Sequence, residues 1–327
     1  MMRLRPAQPY RCRHVARIPA IGPASSKDQT SVPMLSRFAL LALAPLVCAV
    51  PAAAQDVPPL LEPPVSASQG PPGQANVFAG DHLTLGFGAG YRASYEGSDD
   101  YLLNPAPLLR GSFGGVDFEA RGPGLALDLI PDTSRAKVDF LAGPAFRVNL
   151  NRVNQIKDPV VRRLGERDAA IEGGGFAGVS VNGVTNPFDS LSFRIDMLTD
   201  LGDVHNGTLI SPSVGFSTPL SRALFAALSV DATHASGNYM RSEFGVTAAG
   251  ALASGLPAFT PDSGWKSAGA SIVLAYDLSG NGLDGGWGLF GLTSYNRLLN
   301  DAARSPIVSV RGDRDQWFLA AGVSYTF

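Results

Sequence analysis

Histidine is scarce in this chain, and where it occurs decides what chemistry is open to it. Past residue 54 there are His82, His205 and His234 only. His234 lies three residues after Asp231 and two before Ser236, so an extended backbone puts His234 and Ser236 on one face. A serine hydrolase needs a nucleophile, a base and an orienting acid within hydrogen-bond reach, and this triplet is the only approach to one. A polar cluster at the end of a strand accounts for the same residues with less, and that is the preferred reading. No two histidines stand at metal-ligand spacing, and neither Cys12 nor Cys48 survives the processing argued below, so no transition-metal site or other cofactor is expected. The chain reads as a non-enzyme.

A second group of residues could act on solutes rather than on bonds. Arg92, Arg121, Arg147 and Arg194 alternate in sequence with apolar neighbours, as do Asp117, Glu119, Asp128, Asp139, Glu172, Asp196 and Asp231. Gathered on the inner face of a barrel, Arg92, Arg147, Arg194, Asp139, Glu172, Asp196 and Asp231 are candidate lumen charges, and could select polar or cationic solutes. Equally they could pair with one another and fill the interior, because buried charges persist mainly when paired. The second alternative is favoured.

The elements that would position these residues are strands. The last twelve residues alternate strictly: Trp317, Leu319, Ala321, Val323, Tyr325 and Phe327 share one face. An aromatic third from the end and a terminal Phe resemble the closing strand that barrel assembly machinery reads, so Val323, Tyr325 and Phe327 are assigned as an assembly signal. The same period recurs from His82 onward, with Leu83, Leu85, Phe87, Ala89 and Tyr91 on one face against Thr84, Gly86, Gly88, Gly90 and Arg92. Faces opposite the apolar ones hold Gly, Ser and isolated charges of both signs, which suits a narrow lumen better than a solvated exterior. No apolar run is long enough for a membrane-spanning helix, and a sheet can cross hydrocarbon only if it closes on itself.

The expectation is therefore all-β: a closed antiparallel transmembrane barrel of about twelve strands over 81–327, with a periplasmic C-terminus and outer-membrane lipids around it. Connection lengths agree. The longer ones at 93–101, 151–168, 201–205, 235–264 and 297–315 fall at one end, and the turns at 114–115, 131–135, 183–188, 218–222 and 279–285 at the other. This parity requires 116–130 to break into a hairpin near Gly122-Pro123-Gly124, where Pro123 cannot donate to a ladder. A short helix is expected in Val246 to Ser254, over or inside the mouth. Tyr91, Tyr95, Tyr101, Trp265, Tyr276, Trp287, Tyr295 and Trp317 fall near strand ends and read as interfacial girdles.

The N-terminal quarter reads as targeting. Met34 opens a second start, with Arg37, an apolar run from Phe38 to Val50, and Ala52 and Ala54 before a cut, which makes 34–54 a signal peptide. Residues 1–33 are an upstream extension, consistent with a mis-assigned start. Residues 55–80, with paired prolines among Gln, Ser and Gly, are a linker unable to bury a core. Removing 1–54 leaves 19 basic and 27 acidic residues, an acidic chain with no nucleic-acid partner expected.

Three stretches carry a family resemblance: 91–110 with Tyr95-Glu96-Gly97-Ser98, 238–278 with Phe244-Gly245-Val246, and 295–327 with Ser305-Pro306-Ile307-Val308. Together with the terminal strand they resemble the MipA/OmpV family. The resemblance implies a Gram-negative outer-membrane barrel. It also implies a possible partner, since the family takes its name from a member that binds a murein lytic transglycosylase and links it to a murein synthase. Other members are described as osmotically regulated, as adhesins or as antigens. A small pore or solute channel stays open as the alternative function, and a lipid hydrolase using Ser236 and His234 as a more distant one.

Overall fold

The computed structural model describes residues 76–131 and 136–327. The upstream extension, the signal peptide, most of the linker and four residues of the turn at 131–135 lie outside the described residues. Twelve strands form one closed antiparallel barrel in which each strand pairs with its sequence neighbours and β12 returns to β1. They are β1 His82–Ala93, β2 Tyr101–Phe113, β3 Val116–Ala120, β4 Gly124–Asp128, β5 Val138–Asn149, β6 Ala170–Asn182, β7 Ser190–Asp200, β8 Thr208–Pro219, β9 Leu224–Ala235, β10 Gly264–Asp277, β11 Gly286–Leu298 and β12 Asp315–Thr326. Among the described residues no helix is long and apolar enough to cross a membrane.

The pleat sorts residues as the alternation demands, with apolar side chains outward. Phe87 is 66% exposed and Phe140 64%, while Thr84, Arg92, Asp139 and Asn149 on the opposite faces of the same strands are buried. A water-soluble protein would hide the first set; lipid is the solvent that accommodates them. The closing seam is the expected terminal strand: Leu85 pairs with Tyr325, Phe87 with Val323 and Gly88 with Gly322. At that last pair the backbones approach so closely that a Cβ on Gly88 would lie 2.1 Å from the Ala321 carbonyl oxygen. Val323, Tyr325 and Phe327 all point outward along this seam, and Tyr325 stacks edge-on with Phe327 at 4.6 Å.

The hairpin at Gly122-Pro123-Gly124 is present, with the Arg121 N–H donating to the Gly124 carbonyl at 3.0 Å. Its strands are only five residues each, about half of what a bilayer crossing needs. β3 meets only Arg110–Phe113 of β2, so among the described residues 101–109 have no strand partner on that side. Leu83 exchanges backbone bonds with Phe327; the odd residues of β1 therefore face β12 and the even ones face β2. By the pairing register the odd residues of β2 face away from β1. Pro105 and Pro107 consequently fall on the open edge, where they remove two N–H groups that would otherwise lack acceptors. Lys157 reaches over from the β5–β6 loop and donates to the Tyr101 carbonyl at 2.7 Å.

The three longest connections, 150–169, 236–263 and 299–314, all leave from one end; the hairpin at 121–123 is a short one at that same end. The aromatic residues form two outward belts. Tyr91 stacks on Tyr101, Tyr295 on Trp317 and His234 on Trp265 near the long-loop end. Trp287 meets Tyr325 near the turn end. Tyr95 departs from the expected girdle. It lies just past the end of β1, where the chain turns over the mouth, and it is 1% exposed in a packed cluster. The last part of the expected linker is also ordered: Val77–Ala79 form a 3-10 turn, and the Val77 N–H binds the Leu283 carbonyl at 2.9 Å.

Candidate functional site

Two regions of the barrel differ from plain wall: a plug over the long-loop end and a cavity at the turn end. The plug is made by loops that carry five short helices: α1 Pro159–Arg162, α2 Gly237–Phe244, α3 Ala248–Ser254, α4 Asn300–Arg304 and α5 Pro306–Ser309. The helix expected near 246–254 is α3. Its start is fixed by Thr247, which accepts the Gly250 N–H, and its end by Gly255 in the left-handed region at φ 80°. Helix α2 was not foreseen; it buries Tyr239, Met240, Glu243 and Phe244.

The three stretches that carry the family resemblance meet inside this plug. Tyr95, Val246 and Ile307 share one apolar cluster with Ile156, Val161 and Leu256. Phe244 and Val308 share the adjoining one with Tyr239, Met240 and Leu298. Polar bonds tie the same pieces. The Ser305 hydroxyl donates to the Phe244 carbonyl at 2.6 Å, and Gln316 joins the Gly97 N–H to the Ser98 carbonyl. Gly97 has φ 92°, and a Cβ there would fall 2.4 Å from Val308 Cγ2. The two clusters together set an apolar core over that mouth.

Charges sit under and within the plug, and their pairing was only partly legible. Lys266 is turned inward by a register shift in β10, a bulge at the rim that re-aims a side chain. Its Nζ lies 2.8 Å from Glu96 Oε1 and 5.2 Å from the Tyr239 ring. Asn151 donates to Glu243 at 2.7 Å, and Arg152 to the Glu243 carbonyl at 3.3 Å. Burial raises the Glu243 carboxyl above its ordinary value and pushes Arg152 down to about 10. Burial also pushes Asp158 up, but Arg311 at 2.5 Å and the N–H groups of Val161 and Val160 outweigh it, so this carboxyl lies below its ordinary value.

The expected lumen charges do face inward, and most are paired. At mid-lumen Arg121 bridges Glu119 at 3.2 Å and Asp196 at 3.0 Å. Arg194 binds Asp196 at 2.8 Å and lies 3.3 Å over the Phe176 ring. Higher up, Glu172 receives Arg147 at 2.5 Å, Asn149 at 3.2 Å and His205 at 3.0 Å. The Gly207 N–H donates to His205 Nδ1, so the proton facing Glu172 is on Nε2. Asp139 accepts from Asn182 at 2.7 Å, and Asp128 accepts the N–H groups of Ile130 and Ala142 where β4 departs from regular pairing. Asp117 and Asp231 also lie on the inner face, Asp117 opposite Asp128 and Asp231 opposite Gly269. Arg92 differs: it is 4% exposed, and neither Nη has an acceptor among the described residues.

The hydrolase triplet is not assembled. Asp231 faces the lumen, whereas His234 faces outward against Trp265 at 5.6 Å. Ser236 lies past the strand end, where its hydroxyl accepts the Thr208 N–H at 2.9 Å. The strand ends at Ala235, so Ser236 leaves the face it would have shared with His234. Among the described residues no cluster of three His, Cys, Asp or Glu could hold a metal.

At the turn end the lumen widens into a cavity of about 460 Å³. Its wall includes Leu108, Phe225, Val273 and Phe290 from four strands, with Phe78 and Phe188 at the rim. Thr84 and Thr326 hydrogen-bond each other at 2.8 Å, which removes polar demand from that side. Arg110 also lines the cavity, and Arg222 is exposed at its rim. Asp277 Oδ1 is taken up by the N–H groups of Ser279, Gly280 and Asn281.

No curated protein matches the chain. Among solved structures it is similar to an outer membrane channel from Pseudomonas putida F1, at 12% identity and TM-score 0.43 over 79% of this chain and 99% of that one. It is also similar to the Pseudomonas putida toluene transporter TodX, at 10% identity and TM-score 0.36 over 80% and 91%. Vibrio cholerae OmpT is similar at 7% identity and TM-score 0.35 over 76% and 97%. The family described as MltA-interacting protein MipA matches residues 85–327, which spans the barrel from the first residues of β1 to the terminal Phe; the chain belongs to the MipA family of outer-membrane barrels.

Proposed function

We propose that this barrel is a non-enzymatic docking protein of the outer membrane that holds a murein lytic transglycosylase at its turn end and links it to murein synthesis. The observation that carries this reading is the division of the barrel into two unlike ends. The long-loop end, which in such barrels faces outward, is closed by apolar clusters built around Tyr95, Phe244 and Ile307. The turn end, which would face the periplasm, holds the cavity lined by Leu108, Phe225 and Phe290, and the proline-rich linker joins the barrel there through Val77. The turns are short, so the linker at 55–75 and exposed apolar turn residues such as Val184 and Leu220 supply the contact surface. The family description, MltA-interacting protein, supports the choice of partner.

The test is capture of a purified lytic transglycosylase by the full-length barrel in lipid nanodiscs. Saturable binding at micromolar concentration or below is expected, and it should weaken when residues 55–75 are deleted. Absence of binding to any murein enzyme in that range contradicts the reading. A small pore is the second reading and draws on the charged lumen; it requires the plug to open.

A further inference from the structure

We infer that the turn-end cavity is a binding site for a single-chain amphiphile with an anionic head group. The cavity's volume of about 460 Å³ falls in the range of pockets that enclose small molecules. Four phenylalanines from separate parts of the chain, Phe78, Phe188, Phe225 and Phe290, converge on it. Lumens that pass ions or sugars are wet and polar; this one is apolar just where it meets the aqueous side. An apolar surface of this kind in contact with water is unfavourable by roughly 25 cal/mol per Å², and an alkyl chain packed against these rings would relieve it.

The sign of the head group follows from the wall. Arg110 lies within the cavity and Arg222 at its rim. The one carboxylate on the lining, Asp277, spends its Oδ1 on the N–H groups and hydroxyl of its own turn. The lining thus sets two guanidinium groups against one carboxylate, a balance that favours a carboxylate or phosphate head over a cationic one. The plug lies over the far end of the barrel and the cavity lies at the turn end, so the ligand's route is on the turn side. This site stands independently of the transglycosylase reading.

The test is titration of the full-length barrel in zwitterionic nanodiscs with laurate, lysophosphatidylglycerol and dodecyltrimethylammonium, each below its micelle concentration. Laurate or the lysolipid should bind saturably at one site per barrel, and the stronger of the two identifies a carboxylate or a phosphate head. Ala275→Phe, which places a ring in the cavity, should weaken binding at least tenfold; Val273→Phe serves the same purpose if the first variant does not assemble. Arg222→Glu should weaken binding roughly fivefold, the scale of an exposed charge contact. Equal binding by wild type and a filled variant, or equal binding of the cationic amphiphile, overturns the proposal.

Discussion

Lys266 Nζ and Glu96 Oε1 lie 2.8 Å apart, and the lysine is completely buried. The pair joins the β10 bulge to the β1–β2 loop, from opposite parts of the sequence, and fixes the floor on which Tyr239 and α2 rest. Removing one partner strands the other in a poorly hydrated site. Lys266→Met should therefore destabilise the folded barrel by about 3 kcal/mol, while adding Glu96→Leu to it should recover most of that loss. Urea unfolding followed by tryptophan fluorescence, run as a double-mutant cycle, measures both.

Gly97 holds a conformation that other residues rarely adopt, against Val308 with no room for a side chain. Gly97→Ala should loosen the plug without opening the barrel wall, at a cost of about 1–3 kcal/mol. Amide exchange should rise in 94–100 and 299–314 and stay unchanged in β6 and β7. Val308→Ala in the same chain should restore part of the protection, since it removes the clashing methyl.

Asp158 caps α1 and binds Arg311. Its folded pKa is lowered, so its contribution is fully present above the unfolded value of about 3.9 and is lost as pH falls through the folded value. Protease sensitivity of the 150–169 loop should rise below about pH 4 in the wild type. Asp158→Asn keeps a capping oxygen but loses the ion pair, and should cost about 0.5–1 kcal/mol at neutral pH given the partial exposure of Arg311. Asp158→Ala should cost about 1 kcal/mol more.

Arg92 and Arg121 are both inward-facing arginines with opposite surroundings. Arg121 joins two carboxylates, whereas both Nη of Arg92 lack an acceptor among the described residues. Arg92→Met should leave stability unchanged or raise it, and Arg121→Met should lower it by about 3 kcal/mol. The temperature at which the barrel loses its compact electrophoretic form distinguishes the two.

The barrel was legible in the sequence because its signals are local. Period-2 alternation marks each wall strand, and loop parity forces the hairpin at Gly122-Pro123-Gly124 even though β3 and β4 are short. The inward position of Arg147, Glu172, Arg194 and Asp196 follows from the same pleat. The plug was not legible, because it depends on contacts between distant loops. Tyr95 has the sequence surroundings of a girdle residue, and only the turn after Ala93 places it in an apolar cluster. Lys266 follows Trp265 in an alternating strand, and a single bulge changes which of them faces inward. One signal was available: Lys266 is one of three lysines beyond residue 54, and a lysine so near an apolar strand calls for a partner. The cavity could not be read because Phe78, Phe188, Phe225 and Phe290 are brought together only by closure of the sheet.

We propose a long-loop end that is sealed and a turn end that is the working face. Single-channel recording in planar bilayers tests it most directly, comparing the wild type with a variant in which 238–262 is replaced by a short Gly-Ser linker. The wild type should give no conductance steps and the variant discrete ones, whose steps also prove insertion. Steps of equal size from both would show that the plug does not close the barrel.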